Sequence, residues 1–114
     1  MSEVKTAREL ARLQLKYYNA RDLDNFCALF HDHCKLVDYY SGDVVCDNAE
    51  DFRAIYADRF SNLELHCEVT HEIDLNNVAI DRETVSGIPG GPMEIVAIYE
   101  VEEGLICKVT FIRQ

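Results

Sequence analysis

The spacing of apolar residues changes for the rest of the chain near Leu63, and that change decides most of what the chain can become. Before it, apolar side chains recur mostly every three or four residues, as one face of a helix requires; after it they alternate, as a two-faced strand requires. Leu63, Leu65, Cys67, Val69, His71 and Ile73 alternate with Glu64, His66, Glu68, Thr70, Glu72 and Asp74, which predicts a strand with one wet face. Asn76-Asn77 turns this strand into a second, Val78 to Gly87. Ile88 to Pro92 is a longer connection, because proline cannot donate to a ladder. Met93 to Glu102 and Leu105 to Arg113 follow, joined tightly at Glu103-Gly104. Three helices followed by four antiparallel strands predict one α+β domain over residues 1–114.

The helices are read from their caps and stripes. Ser2 to Ala20 places Leu10, Leu13 and Tyr17 on one stripe, with Ala7, Gln14 and Tyr18 beside it and Ser2 as the cap. Asp22 caps a second helix whose apolar face is Leu23, Phe26, Cys27 and Phe30. Asp47 or Asn48 caps a third, which runs to Phe60 and buries Phe52, Ile55, Tyr56, Arg59 and Phe60. Between the second and third, His31, Asp32 and His33 break the helical spacing. Leu36, Asp38 and Tyr40 then share one face of a strand, which Ser41-Gly42-Asp43 ends in a turn.

Composition narrows the possible partners. A net charge of -10 argues against nucleic acid and against an anionic membrane surface, since both are held by basic patches. The N-terminal run MSEVKTAREL has no apolar core and no stretch approaches bilayer length, so a cytoplasmic protein is expected. Cys27, Cys34, Cys46, Cys67 and Cys107 form no C-x-x-C pair and are expected as reduced small hydrophobes. His31, His33 and Cys34 are adjacent ligand types without a second pair, so no metal is expected, and without a Gly-rich phosphate loop no cofactor is expected either.

The stretch Asn19 to Asp38, NARDLDNFCALFHDHCKLVD, resembles the corresponding segment of the ketosteroid isomerases and the wider SnoaL-like, or nuclear transport factor two-like, superfamily. There an N-A-x-D-L-D turn opens the second helix, an A-L-F run closes it, and a strand carries the general-base aspartate. Here those pieces are Asn19 to Asp24, Ala28 to Phe30, and Asp38. The resemblance implies a cone-shaped α+β fold, in which three N-terminal helices pack on a curved, mainly antiparallel sheet and enclose an apolar pocket. It also implies a homodimer. In the isomerases a tyrosine on the first helix and a protonated aspartate on a late strand hold the oxyanion, and these positions fall on Gln14 and Tyr99 of this chain. With both donors replaced, steroid isomerisation should be inefficient.

Together the residues and the resemblance give an expected site: Asp38 as base with Tyr99, in a pocket lined by Gln14, Tyr17, Phe30, Tyr56, Phe60 and His71. Taken alone, Tyr56 and Phe60 each read first as core packing and His71 first as a satisfied core histidine. The expected function is acid-base catalysis on a small apolar carbonyl compound by an isomerase, cyclase or hydrolase; the alternative is a non-catalytic dimeric ligand-binding or assembly domain. Because the last two strands are apolar on both faces, the homodimer is expected to pack through the sheet face carrying Val96, Ile98, Ile106 and Ile112.

Overall fold

The computed structural model describes residues 4–114, so the expected Ser2 cap lies outside the described residues. Helix α1 spans Ala7–Ala20 and starts at a capping box instead: the Thr6 hydroxyl accepts from the Glu9 N–H at 3.1 Å, and the Glu9 carboxylate accepts from the Thr6 N–H at 3.1 Å. Helix α2, Leu23–Cys27, is capped by Asp22, and α3, Ala49–Phe60, by Asn48, whose side-chain oxygen accepts from the Asp51 N–H at 2.8 Å. The strands are β1 (Phe30–Asp38), β2 (Val44–Cys46), β3 (His66–Leu75), β4 (Val78–Ser86), β5 (Met93–Glu102) and β6 (Leu105–Arg113). They form an open six-stranded sheet in the order β2-β1-β6-β5-β4-β3. All pairs are antiparallel except β1 with β6.

The end of α1 is fixed to the start of β3. Asn19 brackets the backbone of Cys67, accepting from its N–H at 2.8 Å and donating to its C=O at 2.9 Å, while Arg21 donates to the Leu65 carbonyl at 2.8 Å. Behind this joint lies an aromatic core. Phe26 sits at its centre with the ring centroids of Phe30, Phe52, Tyr56 and Phe60 all within 6.0 Å.

Two bulges change which residues face that core. In β3 the pairing runs Val69↔Glu83 and then His71↔Arg82, leaving Thr70 as the extra residue. The alternation therefore slips by one position, and His71, Ile73 and Leu75 are exposed rather than sharing the Cys67 face as expected. Glu72 and Asp74 take the inward direction and meet Arg8 at 2.9 and 3.1 Å. In β6 the register shifts where Glu100/Val101 meets the strand, so Val101 pairs with Ile106 and both are buried. Ile106 thus belongs to the core and not to the outer sheet face where Val96, Ile98 and Ile112 lie half-buried.

On β4 the inward residues are Ala79, Asp81, Glu83 and Val85, all buried. Two carboxyl groups on the core face of one strand demand compensation. Asp81 receives it from Arg8 at 2.6 Å, an ion pair that joins α1 to the sheet. Glu83 has no cation within ion-pair distance among the described residues, and the site is built around it.

Candidate active site

Glu83 is 5% exposed, and its Oε2 accepts the Tyr99 hydroxyl at 3.2 Å. The register explains the meeting: Ala79 pairs with Tyr99 and Glu83 with Ile95, so the long phenol reaches diagonally along the core face of the β4–β5 ladder. Burial pushes the Glu83 carboxyl up from 4.5 to about 7, and the negative charge of Asp81 adds to the shift. Hydrogen bonds from Tyr99 and Cys67 oppose it without cancelling it. Burial likewise raises the Tyr99 phenol well above its ordinary value, so Tyr99 is a hydrogen-bond donor throughout the neutral range.

The pair faces a small chamber of about 40 Å³, room for a few atoms. Gln14, Tyr18, Phe30, Tyr56, Tyr99 and Glu83 line it, with Arg59 and Arg113 at its wall. Gln14 is buried at 5% exposure and lines the chamber beside Tyr18 and Tyr56, and among the described residues no fully enclosed side-chain polar atom lacks a partner. Burial raises the Tyr56 phenol and pushes Tyr18 up to about 12, so both remain donors. Tyr18, Arg59, Val85, Ile95 and Arg113 also line an outer pocket of about 400 Å³, completed by Leu65, Ile88, Met93, Asp58 and Asn62. That volume suits a small molecule.

The expected site is therefore assembled in part and redirected at its centre. Gln14, Phe30, Tyr56 and Tyr99 do share one chamber. Tyr17 is half-buried at the edge of the core, Phe60 packs against Tyr18 and Phe26, and neither lines the chamber. His71 is turned out by the β3 bulge and bonds Thr70 at 3.0 Å.

Asp38 requires the largest correction. It is the last residue of β1, and its carboxylate turns back to accept the Ser41 N–H at 2.9 Å, closing the turn before β2. That bond, with the charge of Arg113, holds its carboxyl below the usual range, the opposite of what enclosure in a pocket would do. Asp38 does not line the chamber. The carboxyl group that does is Glu83, which the sequence reading did not single out. The only signal was that VAIDRETVS places Asp81 and Glu83 in phase with Ala79 and Val85.

An α+β cup with helices on one face of an open curved sheet defines a class of small domains. The sequence profile of the SnoaL-like domain matches residues 11–109, and the chain belongs to that family. Among solved structures, a cystatin-fold protein from Novosphingobium aromaticivorans, uncharacterized, superimposes with a TM-score of 0.84 at 27% identity, covering 96% of this chain and 99% of the other. An NTF2-like protein of unknown function from Cytophaga hutchinsonii gives 0.82 at 11% identity, covering 100% and 95%. A candidate ketosteroid isomerase from Kribbella flavida gives 0.83 at 18% identity, covering 100% and 82%. No curated protein matches the sequence. Among the described residues no helix is long and apolar enough to cross a membrane.

Proposed function

We propose that the protein is an acid-base enzyme that moves a proton next to the carbonyl of a small, largely apolar compound, with Glu83 as the proton acceptor. The observation that carries this is the Glu83–Tyr99 pair at the floor of the chamber: a carboxyl near neutrality, poised to accept and return a proton at physiological pH. The body of the substrate would occupy the outer pocket and its reacting end the chamber. The Glu83 carboxylate takes a proton from the carbon beside the carbonyl, and the electron pair moves onto the carbonyl oxygen. Hydrogen bonds from the Gln14 amide and the Tyr18 or Tyr56 hydroxyl stabilise that enolate. If the Glu83 proton is first replaced from solvent, its return to the same carbon is exchange; its return to a different carbon of the delocalised enolate is isomerisation. The likeness to a candidate ketosteroid isomerase supports a carbonyl substrate, although an amide at Gln14 suits an efficient steroid isomerase poorly. A second copy packed through the half-buried Val96, Ile98 and Ile112 face completes the proposal, leaving the chamber on the helix side of each sheet.

The test is exchange of solvent deuterium into the α-carbons of methyl propyl ketone, followed by NMR. The wild type should accelerate exchange, Glu83→Gln should slow it at least about a hundredfold, and Asp38→Asn should retain it. Background exchange by the wild type, or loss in Asp38→Asn with retention in Glu83→Gln, contradicts the proposal. A fully formed chamber that binds ketones without exchange would mark a non-catalytic ligand-binding domain.

A further inference from the structure

The arginines divide into two groups by what they touch. Arg8, Arg12, Arg53 and Arg82 pair with carboxylates, and Arg21 donates to the Leu65 carbonyl. Arg59 and Arg113 make no ion pair and no side-chain hydrogen bond among the described residues, in a chain with 21 acidic residues against 11 basic ones. Each guanidinium instead rests on an aromatic ring, Arg59 at 5.1 Å from the Tyr56 centroid and Arg113 at 5.0 Å from that of Phe111. These contacts with the rings leave the N–H groups without a protein partner among the described residues.

Both arginines lie in the wall between the chamber and the outer pocket. They come from unrelated elements, the end of α3 and the end of β6, and converge on Tyr18, whose hydroxyl feels both positive charges. The acids around them form no ion pair with them. Glu83 lines the chamber and Asp58 the outer pocket without an ion pair to either, Glu94 beside Arg113 is engaged by Arg82 and Thr84, and the Asp38 carboxylate, which feels Arg113, is engaged by Ser41. Keeping two cations unpaired, half-buried and convergent in an acidic protein makes sense if the ligand brings the negative charge.

Resting on the acid-base function proposed above, we infer that Arg59 and Arg113 form an anion clamp at the chamber mouth, and that the substrate is a small carbonyl compound carrying a carboxylate. The carboxylate accepts from the two guanidinium groups, and the carbonyl end points inward to Glu83. The clamp sets which end enters first.

Levulinate and methyl propyl ketone test this, since they share the ketone and differ in the terminal carboxylate. Chemical-shift titration of the wild type should show levulinate binding at least about tenfold tighter, with the advantage shrinking as salt is raised. Arg59→Gln and Arg113→Gln should each weaken levulinate about tenfold, while the surface change Arg53→Gln leaves it unaltered. Equal affinity of the wild type for the two ketones overturns the clamp without need of any variant. So does levulinate binding that survives in both arginine variants when their spectra show a folded protein. Deuterium exchange separates the two proposals: exchange without a preference for levulinate sinks the clamp alone, and tight, arginine-dependent levulinate binding without exchange sinks the catalytic function alone.

Discussion

A carboxylic acid enclosed among apolar and aromatic side chains holds its proton more firmly than in water, and Glu83 is enclosed with a second acid, Asp81, on the same strand face. The consequence for stability has a definite sign. The carboxyl is raised from 4.5 to about 7 on folding, so the folded chain binds more protons than the unfolded one between those values. Its contribution is full below the unfolded value and is lost as pH rises towards 7, by roughly 3 kcal/mol. Asp38, Glu72 and Glu94 are shifted downward, so their linkage acts at more acidic pH. In urea unfolding between about pH 5 and pH 8, Glu83→Gln should therefore gain on the wild type as pH rises. A difference that does not change with pH would contradict the assignment. Glu83 was not legible beforehand because VAIDRETVS offers apolar residues on both faces, Ala79 and Val85 on one and Val78 and Ile80 on the other; only pairing with β5 decides between them. Asp38 was legible as a strand carboxylate, but not the Ser41 amide that claims it.

At the scale of elements, the second and third helices were legible from their caps and the long strands from their alternation, because both depend on neighbours in sequence, whereas the Thr6 cap of the first was not singled out. What depends on a partner strand was not. The three-residue β2 has too few positions to show a period, and β1 begins at Phe30 because β6 pairs with it there, despite the polar run His31 to His33. The Thr70 bulge exposes His71 and delivers Glu72 and Asp74 to Arg8, yet nothing in the local sequence marks Thr70 as an extra residue. The exit of β4 is fixed more visibly. Gly87 has φ of 76°, and a Cβ there would meet the Glu64 carbonyl oxygen at 1.8 Å, a backbone atom that cannot rotate away. Gly90 also has a positive φ, of 89°, but open space around it. Gly87→Ala should cost at least about 2 kcal/mol, and Gly90→Ala only about 1 kcal/mol, in thermal unfolding. Equal losses would mean that the contact with Glu64 is readily relieved.

For the whole molecule, the α+β architecture was legible because one chain carries two apolar periods, the helical one mostly before Leu63 and the alternating one after it, and helices of this number can cover only one face of the sheet. The other face presents Ile80, Val96, Ile98 and Ile112 across three adjacent strands, with Val96 opposite Ile112 and Ile80 opposite Ile98. Half-buried aliphatic residues in one patch fit a second copy of the chain. Sedimentation at micromolar concentration should give a dimer, and Ile98→Glu a folded monomer; a monomeric wild type would refute the assembly. On the helix side, Glu83 lines the chamber, and Arg59 and Arg113 stand where the chamber adjoins the outer pocket. The most direct measurement is therefore the titration of the Glu83 carboxyl carbon by NMR, assigned by its absence in Glu83→Gln. A midpoint near 7 is expected, set by burial and by the charge of Asp81; a midpoint in the ordinary carboxylate range, near 4.5, would contradict the account.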